Sequence, residues 1–483
     1  MSKFQKIYKQ VYEKNNLFDI NKKLKKNPLV SKGKRKNSVA VVGGALGDEG
    51  KGRVTDELTA HFMKTAKKAI HYRDNGGANA GHTVEVGDVR LALHQLSSGV
   101  MQAGCTVICG KEMVLHPEDL VEEINQVKKA TSKKKMPADL IIDEMALLCL
   151  DTHRAFEAVL KMKSRGSKPA TGRGISPAYA DRIYRHPLRM RDLANKNWQN
   201  KFKKHYQFYQ TLISGFGLKL AELEVPRLNN EKVRVGSATE MLARLEKARA
   251  EILPYIQSVY DFIKESWEGD TPFVFEKAQA LGLDKRWGVY PDVTASNCGF
   301  EGILSSTEGV TDPEKIAIKT AVIKATYTSS VGARKLPTIM EEKLAHKIRE
   351  DANEYGATTG RPRDIVHIDL PMLSYLFRVG RVEYSTITHM DVSYPDVPIR
   401  VCVAYEIDGK EVHYRPDQQF LNKVSPRFVE LPAWDGKRAE QAKKIEDLPQ
   451  NALSYLAFIN QCLGTKLLLI TTGPKREQTI KWY

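Results

Sequence analysis

Asp48, Glu49 and Lys51 sit among the glycines of VVGGALGDEGKGRVTDEL (41–58). A β-branched run ends in glycine, and Gly50-Lys51-Gly52 then opens a helical pattern. Glycines let backbone N–H groups approach a phosphate, lysine adds charge, and a helix N-terminus favours anions. The strict phosphate-loop spacing, G-x-x-x-x-G-K-[ST], fails at two positions. Ala45 stands where its first glycine belongs, and Gly52 stands where a hydroxyl would hold magnesium. A metal here needs another hard oxygen donor, and Asp48 is the obvious one. Its carboxylate is also suited to taking a proton from a substrate. An ordinary strand–turn–helix, with acids stabilising the helix start, accounts for the same spacing.

Five other stretches carry candidate polar groups, four of them among glycines. DNGGANAGHTV (74–84) is too glycine-rich for a packed strand and presents Asn79 and His82, a histidine being a ready general acid. KPATGRGISPAYADRIYR (168–185) offers Thr171, Arg173 and Arg185, and GATTGRPR (356–363) offers Thr358, Thr359, Arg361 and Arg363. Hydroxyls and guanidinium forks suit phosphate, and two arginines flanking one residue suit a carboxylate. THMD (388–391) ends a β-run with Asp391, whose two oxygens match the N1–H and 2-amino group of guanine. TTGPKRE (471–477) is a Gly-Pro turn. Taken singly, each of these is equally a surface loop or a strand-end turn.

The elements that must position them alternate. Strands are expected at Ser38–Val42, Ala69–Arg73, 106–110, 138–143, 271–276, 321–327, 385–391, 400–407 and 466–473. Helices are expected at about 51–64, 116–130, 152–163 and 446–464, and 82–96 reads as a hairpin. This alternation predicts an α/β fold with a central, mostly parallel β-sheet flanked by helices, like a P-loop NTPase. Residues 192–268 are mostly helical and polar, a helical insertion within a catalytic body spanning 38–483.

Residues 1–37 form a basic N-terminal extension with 12 Lys/Arg against Glu13 and Asp19. The chain carries a net charge of +17, so about +7 remains for the body, which suits anionic small-molecule substrates rather than nucleic acid. The extension reads as a solvated tail. Phe4, Ile7, Tyr8, Val11 and Tyr12 nevertheless share one helical face, suited to docking on the body, a membrane or a partner. It lacks the apolar core of a secretory signal, and it is Lys-rich rather than Arg/Ser-rich like a transit peptide. Six scattered cysteines without a CxxC pair point to a cytoplasmic setting, and no apolar run is long enough to span a membrane.

In this order, the segments resemble the adenylosuccinate synthetase family. GALGDEGKGR matches its glycine loop, usually QWGDEGKGK, and GGANAGHT its GGxNAGHT. LHQLSSGV, TGRGISPAY, FEKAQA, VYPDVTASN, GATTGRPR and TTGPKRE match later motifs, nearly the whole body from Val39 to Lys475. The resemblance implies a ligase that couples IMP and L-aspartate at the expense of GTP, with Mg2+, through 6-phosphoryl-IMP. It implies Asp48 as general base and metal ligand, His82 as general acid, and the Gly81 carbonyl as a second metal ligand. Gly47, Glu49, Gly50, Lys51 and Gly52 would hold the triphosphate, with Asp391 reading guanine beside Thr472, Gly473 and Pro474. Asn79, Thr171, Gln279 and Thr294 would contact IMP, and Thr358, Thr359, Arg361 and Arg363 would bind aspartate. Arg185 would reach the phosphate held by a neighbouring subunit, implying a homodimer.

Departures fall at defined points. The usual tryptophan is Leu46, EGAQG is EKAQA with Lys277 and Ala280, the lysine of TKLD is His389, and the centre of an arginine triplet is Pro362. The arginine that usually precedes VGAG is Ser330. These bear on the nucleotide donor and the base pocket, leaving ATP as an alternative donor. A related branch, the 2-aminoadenylosuccinate synthetases, takes dGMP and carries a small residue in place of the loop aspartate, so Asp48 favours IMP. A non-catalytic nucleotide-binding homologue would have no need of Asp48, Lys51, His82 and the loop arginines together.

Overall fold

The computed structural model describes residues 1–13, 34–86, 89–132, 135–163, 171–332, 334–356 and 360–482; the side chains of residues 13 and 82–90 fall outside that description. The centre is a ten-stranded sheet. Its strands are β1 (Arg35–Gly43), β2 (Ile70–Arg73), β3 (Thr106–Cys109), β4 (Asp139–Asp143), β5 (Ile256–Gln257), β6 (Phe273–Glu276), β7 (Ile316–Lys324), β8 (Tyr384–Thr388), β9 (Lys466–Thr471) and β10 (Thr479–Lys481). They lie in the order β5-β4-β3-β2-β6-β1-β7-β8-β9-β10. Every neighbouring pair is parallel except β9 and β10. The expected α/β class therefore holds.

The reason lies in the residue pattern. β6, β7 and β8 are buried along their whole length. Strands buried on both faces read as continuous apolar or β-branched runs, and they need helical crossovers to pair in parallel. One consequence governs everything below. β2, β6, β1, β7, β8 and β9 are six adjacent parallel strands, so their C-terminal ends open on one edge of the sheet, where α/β folds bind ligands. The loops leaving that edge begin at Gly44, Asp74, Lys277, Ala325, His389 and Thr472.

β1 starts at Arg35, earlier than Ser38. The Arg35 guanidinium stacks 4.2 Å from the Trp267 ring centroid and donates to the carbonyls of Trp267 (2.9 Å) and Thr271 (2.6 Å), which draws this basic residue into the sheet.

Of the N-terminal extension, residues 1–13 are described. Helix α1 (Lys3–Tyr8) is started by Ser2 and Gln5, which cap each other's backbone N–H. Ile7 and Val11 are buried. Tyr8 and Tyr12 stack on each other at 5.3 Å and meet the edge of Phe458 at 6.3 and 5.9 Å. Phe458 belongs to the Gln450–Leu463 helix. The apolar face thus docks on the body. Residues 14–33 of the extension lie outside the described residues.

The 192–268 region contains helices Trp198–Ser214, Ala238–Ile252 and Tyr260–Glu268. It also carries a small hairpin, Glu224–Pro226 with Lys232–Arg234, and supplies β5 to the edge of the main sheet. A second sheet, not foreseen as a unit, joins Tyr327–Ser330, Asp364–Asp369, Ile399–Ile407, Lys410–Val412 and Ser425–Leu431. Among the described residues, no helix is long and apolar enough to cross a membrane.

Candidate active site

The loop after β1 takes a backbone shape that few sequences allow. Gly47, Asp48 and Gly50 have φ of +101°, +61° and +86°. Glycine adopts this region freely and Asp more readily than most residues. At Gly47 a side chain would strike Val331, with Cβ 2.8 Å from Cγ2. Helix α2 (Lys51–Ala66) then begins without any side-chain cap on its N-terminal N–H groups. Uncapped donors and the helix dipole together make an anion site.

Glu49 is turned inward. Its carboxylate accepts the N–H groups of Ala45 (3.2 Å) and Gly47 (2.7 Å) and pairs with Lys51 Nζ at 2.9 Å. The acid therefore braces the loop and orients the lysine. Thr388, at the end of β8, donates to the Glu49 carbonyl at 2.8 Å. Buried Leu46, in the tryptophan position, offers its carbonyl to Val331 N–H at 3.3 Å.

Asp48 points the other way, its side chain 36% exposed and paired through Oδ2 with Arg363 Nε at 2.9 Å. Burial alone would raise its pKa, but the charges of Lys324, Arg363 and Lys51 outweigh that and hold it below the usual carboxylate range. The carboxylate is ionised at neutral pH, as a base and a metal ligand must be.

Lys324 closes β7 and was not marked from sequence. It is buried, bonds Ser329 Oγ at 2.8 Å, and forms an ion pair with buried Glu354. Tyr327 donates to the same Glu354 oxygen at 2.6 Å. The signal was available: IAIKTAVIK, a strand otherwise fit for full burial, carries two lysines, Lys319 and Lys324, and a buried lysine demands a partner.

The loop after β6 carries Gln279 at φ +59°. Asn75, from the loop after β2, clamps the preceding residue: its Oδ1 accepts Ala278 N–H at 2.9 Å and its Nδ2 reaches the Ala278 carbonyl at 3.4 Å. Gln279 Oε1 accepts from Ser296 Oγ at 3.1 Å, while its buried Nε2 has no protein partner. Thr294 Oγ1 is likewise buried without a protein partner. Buried polar atoms are normally paired, so these atoms mark where a polar ligand belongs. Asn79 accepts Gly77 N–H at 3.1 Å. Thr171 is exposed. Gly81 is exposed and His82 begins the His82–Val86 strand; the His82 side chain lies outside the described residues.

Arg173 and Arg185 look alike in sequence but part company in space. Arg173 is buried, and its donors go to the Arg227 carbonyl (2.6 Å), the Pro226 carbonyl (3.4 Å) and Asn230 Oδ1 (3.2 Å). It holds a turn together rather than a phosphate. Arg185 is exposed at φ +68°, beside exposed Ile183 and Tyr184.

The loop 354–363 is tied to itself, Gly356 N–H to the Arg361 carbonyl at 2.8 Å and Arg363 N–H to the Glu354 carbonyl at 3.1 Å. Arg361 is exposed; Thr358 and Thr359 lie outside the described residues.

Beyond β8, burial, aided by Glu440, raises the Asp391 carboxyl to about 6, and its Oδ1 has no protein partner. His389 is half-buried with its ring edge against Tyr327, and desolvation with Lys324 nearby lowers it to about 4, so it is neutral at physiological pH. Thr472 and Gly473 are buried, and the Pro474 carbonyl accepts from Arg53 of α2 at 3.1 Å. That bond links the turn after β9 to the helix of the glycine loop.

Among the described residues, two groups of histidines and carboxylates lie elsewhere, His153-Asp181-His205, all buried, and His116-Glu118-Asp151, buried except for half-buried Glu118. His153 Nδ1 accepts Leu150 N–H at 2.9 Å, which leaves its proton on the nitrogen facing Asp181. These are hydrogen-bond networks, not ligand sets.

Comparison with known proteins agrees with this layout. A family model described as adenylosuccinate synthetase matches residues 40–480. An adenylosuccinate synthetase of Clostridium botulinum (strain Alaska E43 / Type E3) is 34% identical over 449 residues, covering 91% of this chain and 98% of the relative. A solved structure, a fully ligated adenylosuccinate synthetase from Plasmodium falciparum, is 27% identical and covers 92% of this chain and 99% of its own, with a TM-score of 0.79. A cyanophage S-2L succinoaminodeoxyadenylate synthetase bound to dGMP and dATP shares the fold, at 15% identity and a TM-score of 0.55 over 92% of this chain and 95% of its own.

Proposed function

The chain belongs to the adenylosuccinate synthetase family of carbon–nitrogen ligases, and from this premise we propose that it converts IMP, L-aspartate and GTP to adenylosuccinate, GDP and phosphate. The observation that carries the proposal is an ionised Asp48 at the mouth of a glycine cradle, with Lys51 and an uncapped helix behind it. Asp48 takes the N1 proton of IMP. The freed electron density makes the 6-oxygen the nucleophile, which attacks the γ-phosphorus, and GDP leaves. The amine of aspartate then adds at C6 of 6-phosphoryl-IMP; the C–O bond breaks, phosphate departs, and the nitrogen sheds a proton. The protein contributes position and charge, as phosphoryl transfer requires. We assign the general-acid role at the transferring phosphoryl group to His82.

Asp48 and the Gly81 carbonyl are hard oxygen donors and fit a magnesium ion, with Asp48 kept ionised by its cationic neighbours. Bound there, the ion would neutralise charge on the phosphates. We assign the γ-phosphate side to Gly47, Gly50, Lys51 and Gly52, with Glu49 bracing them. Asn79, Thr171, Gln279 and Thr294 take IMP, and Thr358, Thr359, Arg361 and Arg363 take aspartate.

Asp391 supports GTP over ATP. A carboxylate accepts from N1–H and the 2-amino group of guanine, whereas adenine offers no donor at N1. Thr472, Gly473 and Pro474 flank that base. The exposed Arg185, beside exposed Ile183 and Tyr184, supports a homodimer in which it reaches the partner's monophosphate. Six buried, unpaired cysteines fit a reducing cytoplasm.

The test is turnover by the purified chain with IMP, aspartate and GTP, read as absorbance of the succinylated base and as released phosphate. Aspartate-dependent phosphate release with IMP and GTP is expected. Turnover with dGMP and ATP but not with IMP would move the chain to the 2-amino branch, and no turnover with either would leave a nucleotide-binding homologue.

A further inference from the structure

Ser330 ends the strand Tyr327–Ser330, at the position where the family's usual pattern has arginine before VGAG. In this chain the same stretch reads Ser330-Val-Gly-Ala-Arg334, so an arginine appears where the final glycine would be. Its side chain folds back. Arg334 Nη1 donates to Ser330 Oγ at 3.1 Å and to the Val331 carbonyl at 2.9 Å. Nη2 donates to the Asp292 carbonyl at 2.6 Å. The residue is 4% exposed. A guanidinium grown from position 334 therefore ends beside the side chain of position 330.

The two carbonyls it joins belong to opposite walls. Val331 packs on Gly47 and bonds the Leu46 carbonyl, so it backs the loop that carries Asp48. Asp292 lies two residues before Thr294, whose buried hydroxyl lacks a protein partner and which we assign to IMP. The strut thus fixes the distance between the wall behind the base and the wall that holds the monophosphate.

We propose that Arg334 is a positioning residue for IMP, standing in from four residues downstream for the arginine that the resemblance places at position 330. The assignment rests on the functional reading above. Arg334 touches no reacting atom; it acts by holding segments 291–294 and 330–332 in register. Misplacing a substrate by an ångström costs up to about a hundredfold in rate; the strut holds the Asp292 segment beside the IMP contact directly and meets the triphosphate loop only through Val331 at Gly47, so its effect on IMP should exceed its effect on GTP.

The test is steady-state kinetics on the full chain, with thermal melting as a control for folding. Arg334→Met is expected to raise KM for IMP roughly tenfold to a hundredfold, leaving KM for GTP within about threefold. Arg334→Lys keeps the charge without the fork and should fall between. The double variant Ser330→Arg/Arg334→Gly restores the family's pattern and should bring KM for IMP back toward wild type, which Arg334→Gly alone should not. A merely structural arginine would lower the melting temperature in every variant and move both KM values together. That outcome overturns the proposal, as does an unchanged KM for IMP in Arg334→Met. If Arg334→Met and the double variant fail to fold, Arg334→Lys decides: a wild-type KM for IMP there is equally fatal. If the wild-type chain turns over no IMP at all, the functional reading itself has failed, and the role of Arg334 falls with it.

Discussion

Arg363 meets Asp48 at the mouth of the glycine loop, Nε 2.9 Å from Oδ2. One arginine thus serves two masters. It belongs to the loop assigned to L-aspartate, and it also helps keep the base ionised. Entry of the aspartate carboxylate would compete for the same guanidinium, so second-substrate binding and the strength of the base are coupled through this pair.

Replacing Arg363 by Leu should therefore do two things. KM for aspartate should rise by roughly a hundredfold, the scale of losing a charge-assisted fork. The acid limb of the pH profile for kcat/KM of IMP should also move to higher pH. The sign follows from Asp48: its pKa is held down by Lys324, Arg363 and Lys51, and catalysis needs the ionised form. Activity is lost as pH falls through that depressed pKa, and removing one positive charge raises it. An acid limb that stays in place while aspartate binding weakens would separate Arg363 from the base.

Asp391 should make GTP binding pH-dependent in the opposite region. Its carboxyl is raised from 3.8 to about 6 by burial. For stability alone, ionising it in the fold is a cost, so its contribution is fully favourable below about pH 4 and is lost as pH rises to about 6. Guanine needs the ionised form, so KM for GTP should climb as pH falls below about 6. Asp391→Asn presents one acceptor and one donor; it should weaken GTP by roughly tenfold or more and favour xanthosine triphosphate, whose 2-oxygen accepts. Equal loss for both donors would show that Asp391 does not read the base.

Lys324 should matter to the fold as well as to Asp48. It is paired with buried Glu354. Lys324→Met strips that buried carboxylate of its close cation, leaving the Tyr327 hydroxyl and Arg363 at 3.9 Å, and should cost about 3–5 kcal/mol in denaturant titration, whereas Lys324→Met/Glu354→Leu should recover most of it. The double variant, folded but lacking the cation beside Asp48, should still show a raised acid limb. Full recovery of the pH profile along with stability would remove Lys324 from the site's electrostatics.

The parallel sheet was legible because its strands are mostly apolar or β-branched runs that end at glycine or turn residues. The glycine loop was legible because Gly47, Gly50 and Lys51 interrupt that pattern where β1 meets α2. The second sheet was not: the strand at 400–407 was visible, but its parallel pairing with Asp364–Asp369, and that strand's pairing with Tyr327–Ser330, join segments more than thirty residues apart that local pattern does not connect. Arg173 and Arg185 show the same limit for single residues. Both are arginines beside glycine or turn residues, and only the fold reveals that one is consumed by the Pro226 and Arg227 carbonyls. The amphipathic face of residues 4–12 was visible, but not its partner: Phe458 lies more than four hundred residues away in sequence.

The central claim is that Asp48 turns the 6-oxygen of IMP into the nucleophile. It is tested most directly with IMP labelled by oxygen-18 at C6. Mass spectrometry of the products should find the label in the released inorganic phosphate, in amounts equal to adenylosuccinate formed, and Asp48→Asn should release none above background. Unlabelled phosphate from a wild-type chain that still makes adenylosuccinate would contradict the account.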